Sequence, residues 1–426
     1  MSQQLASRTR RVEGFRGAVH VPGDEGYEEG RKSLNPAVDA QPVLVAEAAG
    51  TDDVRTAVIA AAEQGIPLAV QATGHGTHVP SDGGILLRTS ALDGVEIDPV
   101  RRVARVGPGA RWGQVLAAAA RYDLAPLSGS SPQVGVTGYT LGGGVGWLSR
   151  RYGFAADSVL SAEVVTADGQ VVTAAPGGHG DLFWALRGGG GNFGVVTSLE
   201  FRLYPVAQVY AGIAYFPYEV AGETLARYRD WAATAPDEVS TAVMLTSMPD
   251  GPMRGRRVLG IKAMYAGPSE QGRQVLRPLW EAAGPALADG LRPIRYADAA
   301  MGGTPARYLD FFDALPDEVI GTLVETGAQA TVEIRHWGGA MAAPGPDAGP
   351  VGHRGVPFSV IVDQRPPGLA EALGRHGIGG TFLNFLSDST RVRTAYTAAD
   401  HERLTAVKRA YDPGNQFRLN HNIEPR

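Results

Sequence analysis

Two glycine-rich stretches constrain this chain more than any other feature. The first is a turn, Gly74-His75-Gly76-Thr77-His78, that follows a short apolar strand at 67–71. The second runs over 130–146 and contains Gly135, Gly138, Gly142, Gly143, Gly144 and Gly146. Each glycine in regular structure costs roughly 1 kcal/mol relative to alanine, so a run of three calls for a reason. A tight turn is one reason; main-chain amides approaching a pyrophosphate are another. His75 stands between two glycines, where an imidazole is presented rather than packed. A buried structural histidine is the alternative. Together the two stretches point to a large anionic cofactor tethered through an imidazole nitrogen.

Composition narrows the classes. At 426 residues the chain calls for two or three domains, or one with a large insertion. A net charge of −5 argues against nucleic acid as the main partner, because phosphate binding wants a basic footprint. No run of about 18 apolar residues occurs, so no membrane span is expected. The segment 1–17 carries Arg8, Arg10 and Arg11 without an apolar core after them and does not read as a secretion signal. A cytoplasmic monomer or homodimer is expected. With no cysteine, disulfides, thiolate metal sites and cysteine nucleophiles are excluded. Of 39 basic residues only Lys32, Lys262 and Lys408 are lysines, a bias expected of a GC-rich bacterial genome.

Along the chain, strands are expected at 42–47, 67–71, 84–88, 95–97 and 102–106, with helices at 54–64 and 112–121. Thr51, Asp52 and Asp53 read as a cap with acids at the positive helix end, and Gly65 as the stop. The segment 162–173 is a hairpin on an Asp168-Gly169 turn. A short helix at 181–187 runs into glycines, and a long strand at 193–203 ends before Pro205. Beyond 207, strands at 209–216, 243–247, 258–265, 331–335 and 358–362 alternate with helices at 220–234 and 269–283. This reads as an antiparallel sheet with helices on one side. An exposed loop is expected at 343–350 and a closing helix at 400–411.

Other motifs carry less. Gly189-Gly190-Gly191-Asn192-Phe193-Gly194 fits G-x-G-x-x-G, but a helix precedes it and a strand follows, the reverse of a dinucleotide fingerprint. His75 and His78 have H-x-x-H spacing without further ligands, so no metal is expected. The tail from Tyr411 through Asn415, Asn420, His421 and Asn422 is dense in polar groups, which argues for packing on a polar site rather than fraying.

With these residues in view, the chain resembles the FAD-linked oxidases of the berberine bridge enzyme type, within the vanillyl alcohol oxidase superfamily. The context 71–75, the stretch 131–144, Arg151 to Asp157, Asp181 to Gly188, Asn192 to Thr197, Glu333 to Arg335 with Gly338 to Ala340, His353-Arg354 and Tyr411 to Pro425 match in order. The resemblance implies an α+β fold. An FAD-binding domain would come from 1–207 and 390–426, with a substrate domain, an antiparallel sheet covered by helices, inserted at 208–389. It implies that His75 carries FAD. Gly74, Gly76, Thr77, Ser131, Val134, Gly135, Gly138, Gly142, Gly143, Gly144, Gly194, Val196, Asn420 and Asn422 would surround the cofactor, with Val134 beside the ring where oxygen enters.

Three departures matter. The family's second tether is a cysteine where this chain has Ser131, so attachment runs through His75 alone or not at all. The tyrosines of the family's Y-x-N-Y segment, one of which often serves as base, are Phe382 and Phe385, flanking Asn384. The usual arginine before the histidine turn is Gln71. The expected chemistry is hydride transfer from a small-molecule secondary metabolite to flavin N5, with reoxidation by O2 to hydrogen peroxide. For the proton, Tyr139 is the favoured acceptor, with Tyr152, Tyr308, Glu333, His336 and His353 as other candidates; a neutral amine would need none. An oxygenase or oxidative cyclase of the same fold, and an inactive flavin-binding remnant, are the alternatives.

Overall fold

The computed structural model describes residues 12–426; Arg8, Arg10 and Arg11 of the N-terminal reading lie outside them. Three sheets organise the described residues. The first orders Ala18–His20, Leu44–Glu47, Ile85–Arg88 and Leu68–Gln71, with the last three strands parallel. Parallel neighbours need a crossover, and helix Thr51–Gln64 supplies one. Its Val54, Ala57, Val58 and Ala61 pack with Leu44, Leu68, Ile85 and Leu87 in one core. The helix starts a turn earlier than expected, and Thr51 does not cap it. Asp53 instead accepts backbone N–H bonds from Arg16, Gly17 and Ala49, pinning the incoming chain. Gly65 stops the helix in the left-handed conformation, φ 66°.

The second sheet is antiparallel, in the order Val95–Asp98, Val103–Val106, Val195–Arg202, Val159–Val165, Val171–Ala174. Its hairpin turns at Gly169, φ 77°. The third sheet has eight strands, all antiparallel. It runs Ala288–Asp289, Gln208–Pro217, Arg257–Tyr265, Val239–Ser247, Val332–His336, Phe358–Val362 and Tyr308–Phe312, with Arg292–Arg295 also on Gln208–Pro217. Helices Ala221–Ala232, Ser269–Ala283, Asp317–Gly327 and Leu369–Gly374 pack on one face, against Phe216, Val243, Ile261, Ile334 and Val360. The opposite face turns toward the glycine-rich stretches. Strand Tyr308–Phe312 and helix Asp317–Gly327 add to the elements expected from the sequence. The loop at 342–347 is exposed, but Gly349 and Pro350 are buried.

The chain then returns. Helix Ala398–Tyr411 ends at the buried pair Lys408 and Asp412, 2.6 Å apart. Lys408 Nζ also donates to the Asn192 carbonyl at 2.8 Å, and Phe417 enters the core of the first sheet. No helix among the described residues is long and apolar enough to cross a membrane.

Arg150, buried in the short helix Ser149–Tyr152, bolts this part to the third sheet. It donates to the Val239 carbonyl at 2.8 Å and contacts His336 Nε2 at 3.0 Å. Burial, with Arg150 beside it, pushes the His336 pKa from 6.5 down to about 3. The unfolded chain therefore protonates first, and the stability contribution is full above 6.5 and lost as pH falls toward 3. At pH 5 this group alone should remove about 2 kcal/mol relative to pH 7.5. Urea titrations at the two pH values should show a smaller loss in His336→Gln; equal losses would contradict the assignment.

Candidate functional site

The histidine turn is braced from behind. Gln71 donates to the Lys32 carbonyl at 2.8 Å and accepts from Thr77 Oγ1 at 3.3 Å. Leu34 N–H reaches the Gly74 carbonyl at 3.2 Å, and Asn35 Nδ2 the Thr77 carbonyl at 3.1 Å. Gly74 sits at φ 72°. The brace leaves His75 and Gly76 exposed, so the imidazole is presented, not buried. Gln71, the departure from the family's arginine, is thus the residue that shapes the turn.

The second stretch is laced to helix Trp112–Ala120: Trp112 N–H binds the Val134 carbonyl, Gly113 N–H the Pro132 carbonyl, and Val136 N–H the Ala110 carbonyl. Ser131 Oγ accepts from Gln133 N–H at 3.3 Å. The stretch contains a helix, Val136–Leu141, that its composition did not announce. The two stretches touch: a Cβ on Gly135 would stand 3.2 Å from Thr73 Oγ1.

Gly142, Gly143 and Gly144 require a correction. Their amides do not lie free for a pyrophosphate; they bind the Gly138 carbonyl, the Thr140 carbonyl and Asn384 Oδ1. The absent side chains make room for protein: a Cβ on Gly142 would lie 2.7 Å from Asn384, and one on Gly143 3.0 Å from Phe382. Gly194 is likewise explained by its sheet, since a Cβ there would lie 2.5 Å from Val164 Cγ1, and the Val196 side chain is buried in the core.

Two further segments close a ring. Gly190 N–H binds the Leu141 carbonyl at 2.9 Å. Asn420 Nδ2 donates to the Gly191 carbonyl at 3.1 Å, while Asn192 holds the His421 carbonyl and the Ile423 amide. The His421 ring stacks on His78, centroids 6.0 Å apart. So the histidine turn, the Val136–Leu141 helix, the 190–192 turn and the C-terminal tail are successive neighbours. Thr137 Oγ1, Asn420 Oδ1, His421 Nδ1 and Asn422 Oδ1 are buried there without a hydrogen-bond partner. Buried polar atoms are normally paired, so this set fits a long polar ligand of the FAD kind. Burial, then His78, lowers the His421 pKa to about 4, leaving a neutral ring.

The face of the third sheet turned away from its helices bears charge. Lys262 and Arg335 both lie opposite Ala242, and Glu333 is two residues from Arg335 on the same face. Glu333 is fully buried and ion-paired to Lys262 (3.3 Å) and to Arg335 Nε. Thr304 Oγ1 donates to it at 2.7 Å. Burial alone would raise the Glu333 pKa, but Arg335, Lys262 and Thr304 outweigh it and hold it at about 2. Arg335 lies over Phe385, 5.3 Å from the ring centre, and next to it Asn384 binds the Gly144 amide and the Tyr139 carbonyl.

None of the six proton-acceptor candidates is suited to the task. Tyr139 does lie at the seam, but its hydroxyl is buried without a partner and burial drives its pKa well above 10. Glu333 is held ionised by its cations. His336 and Tyr308 belong to the helix-covered face. Tyr152 stacks on Tyr204, and His353 binds the Thr394 carbonyl at 2.7 Å. Arg354, its neighbour, forks onto Asp157 at 2.7 and 2.9 Å. Lys262, Thr304 and Arg335 were not assigned a role from sequence; the signal was Lys262 inside the run 258–265 and the Glu333 and Arg335 pair two apart in Val332–His336.

Residues 42–175 match the family described as FAD binding domain, and 381–424 the family described as berberine and berberine like. The (R)-6-hydroxynicotine oxidase of Paenarthrobacter nicotinovorans is 28% identical, over 100% of this chain and 99% of that protein. The solved 6-hydroxy-D-nicotine oxidase from Arthrobacter nicotinovorans superposes with TM-score 0.83 at 25% identity, over 98% of this chain and 99% of that one. The glucooligosaccharide oxidase of Acremonium strictum, described with a 6-S-cysteinyl, 8α-N1-histidyl FAD, shares the fold at TM-score 0.80 and 23% identity, over 96% and 97% of the two chains. With an FAD binding domain segment and a berberine-like segment in order and full-length relatives of one kind, the chain is an FAD-linked oxidoreductase similar from end to end to the oxidases of the berberine bridge enzyme type.

Proposed function

We propose that this oxidase carries FAD on His75 alone and oxidises a small-molecule secondary metabolite, with O2 as the electron acceptor. The exposed His75 on its braced turn is the observation that carries the reading. Ser131, at the position of the family's second tether, has no thiol to offer. Residues 1–207 and 390–426 hold the cofactor in this reading, and 208–389 meet the substrate. Thr137, Asn420, His421 and Asn422 supply partners along the ring, with Val134, Gly135 and Gly138 beside them; the neutral His421 suits packing rather than charge pairing. Bound FAD supplies the hydride acceptor, and its reaction with O2 yields hydrogen peroxide.

Because none of the six candidates is placed to take a proton, the reading favours a substrate that needs none, such as a neutral amine. Tyr139→Phe should then keep kcat within about 3-fold, far from the 100-fold or greater loss of a general base. Turnover of an amine library, with peroxide release and labelled O2, tests the reaction class. Peroxide without label in the product is the expected result. Label in product, or a new ring, would transfer the reading to an oxygenase or cyclase; flavin that no substrate reduces would identify a remnant.

A further inference from the structure

We propose that the face of the eight-stranded sheet turned away from its helices grips its substrate by a carboxylate, with Arg335 as the residue that binds it. The proposal deepens the oxidase reading and rests on it for what the site is for. Arg335 is fixed at two points: its Nε is bonded to Glu333, and its guanidinium lies over Phe385. Among the described residues, neither terminal nitrogen makes a hydrogen bond to protein. A guanidinium held by its Nε presents its remaining edge as two parallel donors, the geometry that matches a carboxylate.

The surroundings agree. Ala242 stands between Lys262 and Arg335 on the same row, with no charged side chain between the two cations. Among the described residues the ion pairs of Lys262 and Arg335 both run to one carboxylate, Glu333; burial lowers the Lys262 pKa, and with that amine protonated the cluster holds one surplus positive charge. The 302–304 segment borders it: the Gly302 carbonyl accepts from Lys262 Nζ, and Thr304 donates to Glu333. Further along that segment Arg307 stands close enough to His78 for its charge to be felt there. Cationic groups thus run from the sheet toward the histidine turn. A purely structural Arg335 would serve only to neutralise Glu333, yet Lys262 and Thr304 already engage that carboxylate.

The test is calorimetric titration of the purified protein with benzoate and with benzamide, its uncharged isostere. Benzoate should bind at least ten-fold more tightly than benzamide. Arg335→Met should weaken benzoate by about 10–100-fold, as expected for a lost charge-assisted pair, and leave benzamide unchanged. Glu333→Gln raises the surplus to two charges and should tighten benzoate, an opposite sign that a structural role would not give. Equal binding of the two probes, indifference of benzoate to Arg335→Met, or weaker benzoate binding in Glu333→Gln would overturn the proposal. Flavin content and peroxide release are read on the same samples. Benzoate held through Arg335 in a protein without flavin would refute the oxidase reading alone; flavin with benzoate indifferent to Arg335 would refute the carboxylate site alone.

Discussion

Asp412→Ala is expected to remove about 3–5 kcal/mol of folding stability, the range for breaking a buried ion pair from one side. Asp412 and Lys408 are both fully buried. The carboxylate also accepts the Gln416 amide at 2.7 Å and the Phe417 amide at 2.9 Å. Its loss leaves an ammonium facing two carbonyls, of Asn192 and Phe417. Burial already lowers the Lys408 pKa against the pull of Asp412, so the amine would shed its proton or the tail would lift. The tail carries Asn420, His421 and Asn422, so lifting it should also weaken flavin retention. Urea titration with flavin absorbance checks both effects. A change under about 1 kcal/mol, the size typical of an exposed pair, would mean the lock is not what holds the tail.

Gly144→Ala should be the second large loss, about 2–5 kcal/mol from left-handed strain and overpacking together. Gly144 sits at φ 73°, and a Cβ there would lie 2.4 Å from Tyr139 Cε1 and 2.8 Å from the Ala155 Cβ. Neither neighbour can retreat easily: Tyr139 is wedged edge-on against Trp112, and the Ala155 amide is bonded to the Gly144 carbonyl. Gly138→Ala is the control. That glycine lies in a helix with nothing within 4 Å of a Cβ, so the change should gain up to about 1 kcal/mol of helix propensity. Thermal unfolding of the two variants should move in opposite directions. A parallel shift would mean that the glycines are not there for close packing.

Much of this was legible in the sequence because local rules decided it. The Asp168-Gly169 hairpin, the Gly65 stop and the apolar strands beyond 207 need no tertiary information. The helix Val136–Leu141 was not legible: threonines and a glycine give it poor propensity, and it forms because Ala110 and Gly135 hold its first turn. Strand Tyr308–Phe312 hid for the opposite reason, since all five residues are buried and no alternation marks it. The glycine run was read as a tight turn or as amides approaching a pyrophosphate; its amides bind protein, and Asn384, Phe382 and Tyr139 occupy the space its side chains would need. The charged face needed the strand register. Only pairing shows that Lys262, Glu333 and Arg335 share the side away from the helices.

The most direct measurement is acid precipitation of the purified protein, with intact mass, for the wild type and His75→Ala. The account predicts a yellow pellet and one FAD-sized mass increment in the wild type, both absent from the variant. A colourless pellet under a yellow supernatant would remove the tether while keeping the flavin. No flavin in either fraction would contradict the reading of the ring as an FAD site.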